Sequence, residues 1–328
     1  MIPIIIGGCD RSGTTLLGAL IGAHSKCLTI PESQFKIDVF ASLKSELNRS
    51  KKFDVLEVLK KIKNHRRFKL LWEPLELDFN TFGGDSGNSS IIQTYRPLLE
   101  WIMKEYGRQR LGKSNCQYWV DHTPSNIMYA KTLSLIFPDA KFIHIIRDGR
   151  GIAASVLPLN WGSNTIIEAA HWWSERLGLG LAMESFLGKD NVIRIRYEDI
   201  LMEAEKTLKN VCAAIGIDFQ EDMLKGDGYK PNKYLAKSHA LVGKKPFRSR
   251  ARAWEKALTP RQIEIFESYT GELLDYLGYN VKYGIEAKNP GFKERLRLKI
   301  YSFIRSKILN RCSKKRWVKK SLKRNLYQ

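Results

Sequence analysis

PIIIGGCDRSGTTLLGALIGAHS, residues 3–25, opens with a short β-branched apolar run, continues through a glycine-containing loop, and ends in apolar residues at helical spacing. That order predicts strand, loop and helix, the helix running about 12 residues. Gly8, Gly13 and Thr15 keep the frame of a phosphate-binding loop, G-x-x-x-x-G-K-[ST]. The lysine position, however, holds Thr14, and the cation has moved inside the loop to Arg11. Backbone N–H groups of the loop and the helix N-terminus still suit a phosphate. The lysine that grips a triphosphate is missing, which argues against a kinase or ATPase. Downstream, CLTIPE (27–32) reads as a second strand. A parallel crossover of this length places Glu32 beside the loop.

The same unit recurs three times. YWVDHTP (118–124) precedes a helix from about Ser125 to Phe137, AKFIHIIRDGR (140–150) one from about Arg150 to Val156, and NVIRIRYED (191–199) one ending near Gly216. Alternating strands and helices predict an α/β, P-loop-type three-layer fold with a mostly parallel central sheet flanked by helices. Ligands of such sheets bind outside the carboxyl ends of the strands, where Arg11, Glu32, His122, Arg147 and Tyr197 would gather. Residues 36–116 and 160–188 read as helical insertions, and Thr259 and Pro260 open a further helix as cap and first residue. The expected organisation is one domain over residues 1–285 and a basic tail over 286–328.

With 328 residues and 43% hydrophobic content the chain can bury a large core. A net charge of +21 calls for anionic partners. Residues 293–328 hold 14 Lys or Arg against one acid, Glu294. The remainder suits an enzyme with a polyanionic ligand better than a nucleic-acid-binding surface. Five scattered cysteines without a C-x-x-C pair point to neither a disulfide framework nor a zinc site, and no metal is expected. The run Ile2–Ile6 is too short for a signal-peptide core and no segment has the ~20 apolar residues of a membrane span, so a cytoplasmic chain is expected.

GGCDRSGTTLL (7–17) resembles the 5′-phosphosulfate loop of sulfotransferases that use 3′-phosphoadenosine-5′-phosphosulfate (PAPS). The family's second motif has an arginine and, eight residues on, a serine for the 3′-phosphate; RDGRGIAAS supplies Arg147 and Ser155. RSGTT, AH and PE at their spacing are similar to tyrosylprotein and Golgi-type glycan sulfotransferases, with this chain as a soluble, bacterial-type member. The resemblance implies PAPS as co-substrate and no metal. It implies binding roles for Arg11, Ser12, Gly13, Thr14, Thr15, Arg147 and Ser155, and makes Glu32 the base that takes the acceptor proton. The plain alternative for Glu32 is a carboxylate paired with a loop arginine. His122 stands where these relatives carry a lysine touching the leaving bridging oxygen. Donor, additional base and structural histidine all stay open for it. Tyr197 would lie near the adenine or be a strand-end aromatic, with Glu198 and Asp199 capping the next helix. In the late stretch HALVGKKPFRSRARAWEKALTP (239–260), Arg250 or Arg252 would reach the 3′-phosphate, unless that basic run is a solvated face.

The acceptor is read as a hydroxyl, with a glycan or lipid-linked saccharide favoured and a peptide tyrosine or small metabolite as alternatives. A P-loop kinase and a non-catalytic nucleotide binder are the rivals from other classes; neither explains Ser155 eight residues after Arg147. Trp172, Trp173, Met183 and Phe186 read as core, His171 as a core histidine and His24 as a helix-end one. In the tail, Leu296, Ile300, Phe303, Ile304 and Ile308 share one helical face among cations. This face has three expected uses: lying on an anionic membrane, drawing an acidic substrate, or packing on the domain. The first would place the chain at the inner membrane face, close to glycan precursors.

Overall fold

In a computed structural model, residues 1–47, 54–72, 74–84, 91–231, 242–243 and 248–310 are described. Five strands, β1 (Ile2–Gly8), β2 (Cys27–Ile30), β3 (Tyr118–Asp121), β4 (Lys141–Ile146) and β5 (Val192–Arg196), form one sheet in the order β2-β3-β1-β4-β5. Every pairing is parallel. Central β1 is covered on both faces, so Ile4, Ile5 and Ile6 are at most 1% exposed, which is why this strand reads as an unbroken apolar run.

Thirteen α-helices are described: α1 (Thr14–Gly22), α2 (Phe35–Leu47), α3 (Val55–Asn64), α4 (Arg66–Leu71), α5 (Ile91–Tyr106), α6 (Ala130–Ile136), α7 (Gly149–Val156), α8 (Ile166–Leu187), α9 (Tyr197–Met202), α10 (Ala204–Ile215), α11 (Trp254–Ala257), α12 (Pro260–Tyr276) and α13 (Phe292–Ile304). Side chains alternate across a strand, and the register sorts the two faces. Ile5, Leu28, Ile30, Trp119 and Phe142 join one cluster with Phe35, Phe68, Trp72, Tyr95, Ile102 and Phe137 of the insertion helices and the segment before β4. On the other face Thr29 Oγ1 donates to the Gly18 carbonyl of α1 at 2.7 Å. The insertion helices follow their sequence. In α3, Asp54 caps the Leu56 N–H, and Val55, Val58, Leu59 and Ile62 form a buried stripe at i, i+3, i+4 and i+7.

Two boundaries differ from expectation. α1 has 9 residues, because the chain tightens at Ala23 and His24, whose N–H groups bond the Leu20 and Ile21 carbonyls. After β3 the chain first forms a 3₁₀ segment, Pro124–Tyr129, and α6 begins only at Ala130.

The described chain divides into two compact units, Met1–Ile146 with Leu179–Arg248, and Arg147–Gly178 with Ser249–Gln328. The first holds the sheet. In the second, Arg150 is buried beneath Trp254, 4.0 Å from the ring centroid, and pairs with Asp148 at 2.8 Å and Glu267 at 2.6 Å. Glu267 in turn accepts from the Lys282 and Tyr283 N–H groups, so one guanidinium joins α7, α12 and the chain beyond it. α12 opens on a capping box in which Thr259 accepts from Gln262 N–H and the Gln262 side chain from Thr259 N–H. Thr259→Ala is expected to lower stability by about 1 kcal/mol in urea denaturation, and Thr259→Ser by much less.

Candidate functional site

Within the first unit the loop between β1 and α1 has an unusual backbone. Arg11 at φ 71° is the one non-glycine residue with positive φ among the described residues. Such a conformation costs of order 1–3 kcal/mol and persists where the surroundings enforce it, often at ligand clamps. Gly13 follows at φ 101°, and a Cβ there would lie 2.5 Å from Tyr197 Cδ2, so glycine is required both by conformation and by space. Thus Tyr197, 4% exposed at the start of α9, stands against the loop, with Glu198 and Asp199 in the first turn of that helix. Gly13 caps α1 without a side-chain bond, and no acid lies in the first turn of α1. Ser12 Oγ is buried and has no hydrogen-bond partner. Thr14 and Thr15 are nearly buried at the helix start. A positive-φ loop, an uncapped helix start and a buried hydroxyl in want of a partner fit an oxyanion of the phosphate or sulfate ester type.

Glu32 stands just past the carboxyl end of β2, with its side chain 16% exposed. Burial raises its carboxyl pKa above the usual range, and Asp10 and Asp121 push it the same way, against Arg67 and Arg11. Arg67 of α4 binds Glu32 Oε2 at 3.2 Å. The carboxylate therefore has an arginine partner, though one from an insertion helix.

Behind Glu32 lies a fully buried polar network. Lys36 Nζ meets Asp121 Oδ2 at 2.5 Å and Asn126 Oδ1 at 2.8 Å, with the Lys36 and Asp121 side chains 0% exposed. Ser33 Oγ donates to Asp121 Oδ2 at 2.8 Å, and Thr123 donates to Oδ1 through both N–H and hydroxyl. Thr123 Oγ1 also accepts from the Ser33 N–H. Burial pushes the Asp121 carboxyl up, but Lys36 and Thr123 more than offset it and hold it below the aspartate range. These bonds tie the ends of β2 and β3 together and set the backbone on which Glu32 and His122 stand.

His122 is 1% exposed. Burial pushes its pKa down to about 4, so the ring is neutral at neutral pH. Its Nδ1 lies 3.4 Å from Thr15 Oγ1, and its Nε2 is buried without a partner. Gly18 of α1 and Tyr229, 4.7 Å between ring centroids, hold the ring in place. Donor, base and structural histidine all stay open for His122; burial disfavours only the protonated form of the donor.

In the second unit, Arg147 follows β4 in the chain and Ser155 lies in the last turn of α7. A Cβ at Gly151 would lie 3.1 Å from Arg147 Nε, so the guanidinium passes over α7 at a residue without a side chain. The Asp148 carboxylate caps α7 and binds Arg150. Arg250 and Arg252 are exposed, and Arg252 Nε binds Glu255 at 2.6 Å. Lys244 and Lys245 lie outside the described residues.

Trp173 and Met183 are core, each 2% exposed, but Phe186 is 56% exposed. His171 is likewise exposed, resting on the Tyr269 ring rather than in the core. His24 closes the end of α1 on the Asp218 carbonyl at 3.0 Å. Arg67, Lys36, Asp121 and Tyr229 were not singled out from the sequence. Asp121 stands beside His122, but the charges of Lys36 and Arg67 read as ordinary solvated helix faces.

The family model described as "Sulfotransferase family" matches residues 3–221. Protein-tyrosine sulfotransferase A of Caenorhabditis elegans is 23% identical over 226 residues, 67% of this chain and 51% of the relative. Protein-tyrosine sulfotransferase of Drosophila melanogaster is 21% identical over 277 residues, 82% of this chain and 47% of the relative. The chain spans about half the length of these curated relatives. In fold it is similar to the sulfotransferase domain of the Synechococcus PCC 7002 olefin synthase, with a TM-score of 0.57 and 19% identity over 86% of this chain and 95% of that domain.

Proposed function

The chain belongs to the sulfotransferase family, and we propose that it is the enzyme that moves a sulfuryl group from PAPS to an acceptor hydroxyl. The observation that carries this reading is the lysine-less loop between β1 and α1, with Arg11 and Gly13 at positive φ, an uncapped helix start and the buried, unpartnered Ser12 hydroxyl. The Arg11, Ser12, Gly13, Thr14 and Thr15 segment holds the 5′-phosphosulfate. Arg147 and Ser155 take the 3′-phosphate, Arg250 and Arg252 add charge to it, and Tyr197 lines the nucleotide beside Gly13. Glu32 accepts the proton of the acceptor hydroxyl while its oxygen forms the new bond to sulfur. The bond from sulfur to the bridging phosphate oxygen breaks, and that oxygen keeps the electron pair. Arg11 offsets charge on the equatorial oxygens, and neutral His122 serves as a donor towards the leaving oxygen through Nε2–H, its Nδ1 accepting from Thr15. Positioning and fixed charges supply the rate.

Two acceptor classes have support. The named relatives are protein-tyrosine sulfotransferases, which favours a peptide tyrosine. The cationic C-terminal segment favours a glycan or lipid-linked saccharide hydroxyl presented at the cytoplasmic face of a membrane. Transfer to tyrosine peptides with none to a panel of lipid-linked saccharides removes the second. For the nucleotide, calorimetry is expected to show adenosine 3′,5′-bisphosphate binding and no comparable binding of ATP with magnesium. Arg147→Ala should weaken the former about tenfold to a hundredfold. Equal affinity for ATP would return the chain to the kinase reading.

A further inference from the structure

We propose that α13 is a docking surface for an anionic lipid bilayer. The helix is fixed to its own unit by one side. Glu294 pairs with Arg261 at 2.6 Å, Ser302 Oγ bonds the Glu168 carboxylate and Asn164, and Arg305 Nη2 donates to the Leu159 carbonyl at 3.1 Å. These attachments are polar. At 100° per residue, Glu294 and Arg305 fall on the side opposite Phe292, Leu296, Ile300 and Phe303, and Ser302 lies on the flank between. Those four, with Ile304 at the edge of the stripe, are 43% to 81% exposed. The expectation that the apolar stripe packs on the domain is therefore not met: the helix docks by its polar side and turns its apolar side outward.

Exposed bulky side chains in a contiguous row are a recognition surface rather than a normal solvated face. Their neighbours identify the partner. Lys293, Arg297, Lys299 and Lys307 are exposed among them, and the one acid of the segment, Glu294, is turned to Arg261. A second copy of the chain packed symmetrically on this stripe would bring like charges together, at a cost. An anionic headgroup layer satisfies the cations while the acyl boundary takes Phe292, Leu296, Ile300 and Phe303. Residues 311–328 add eight more Lys or Arg and no acid. No helix among the described residues is long and apolar enough to cross a membrane, so α13 lies on the surface rather than spanning it. This docking is independent of the reaction proposed above.

The test is flotation of the full chain with vesicles of phosphatidylcholine, with and without phosphatidylglycerol, over a salt series. Binding is expected only with the anionic lipid, falling as salt rises. The double variant Ile300→Asp, Phe303→Asp should partition at least about tenfold less, since both side chains are exposed and only the lipid loses a contact. Its thermal unfolding should match the parent, which separates lost docking from lost folding. Absence of flotation at low salt overturns the proposal. So does flotation undiminished by the double variant, or a concentration-dependent dimer that the variant abolishes while vesicles bind neither protein.

Discussion

Asp121→Asn is expected to lower the free energy of unfolding by about 3–5 kcal/mol at neutral pH, the usual cost of stripping one partner from a buried ion pair. Both members are fully buried, and the same carboxylate accepts from Ser33 and from Thr123, so the change leaves the Lys36 charge and three donors poorly matched. The pH dependence has a definite sign. The folded-state pKa of Asp121 is lowered, so its contribution is fully present above the ordinary aspartate value of about 3.9 and is lost as the pH falls through the lower folded value. Urea denaturation at neutral and strongly acid pH should show the gap between parent and variant closing in acid. Adding Lys36→Met to Asp121→Asn should recover much of the loss, because the uncompensated charge is gone. A single variant within about 1 kcal/mol of the parent at neutral pH would show that the network is not holding this end of the sheet.

The second large effect is on turnover. Glu32→Gln keeps the shape of the side chain and removes the proposed base, so kcat is expected to fall about 10²- to 10⁴-fold with little change in nucleotide affinity. Because the Glu32 pKa is raised, the acid limb of kcat/KM in the parent should lie above the ordinary glutamate value of about 4.3. Arg67 pulls that pKa down, so Arg67→Ala should move the limb to still higher pH while activity on its alkaline side largely survives. A glutamate that merely pairs with Arg67 would leave the profile in place. Retention of more than about a tenth of kcat in Glu32→Gln removes Glu32 as the base.

The strands and the turn between β1 and α1 were legible because they depend on local pattern. β1 and β4 are apolar runs buried on both faces, and the frame of Gly8, Gly13 and Thr15 predicts the turn that the positive φ of Gly13 confirms. Strand order was not legible. It is set by which apolar faces meet over separations such as Ile2 with Tyr118, and pattern along the chain carries no such address. The charges behind the site were hidden for the same reason. Lys36 sits in KID and Arg67 in HRRF, where each looks like a solvated helix residue until the fold brings Asp121 and Glu32 to them. Arg150 is the converse case. In RDGR the sequence marks the first arginine for a ligand, whereas the second, under Trp254, is the one that cements α7 to α12.

The central position of β1 has a consequence for how the chain reaches this state in a cell. Its neighbours pair Ile2 with Tyr118 and Ile4 with Lys141, so the most apolar strand leaves the ribosome long before either partner exists. Non-local parallel pairing is slow, and an unpaired apolar strand is a sticky species while it waits. Until β3 and β4 have been synthesised, β1 is therefore the segment expected to be most exposed to aggregation.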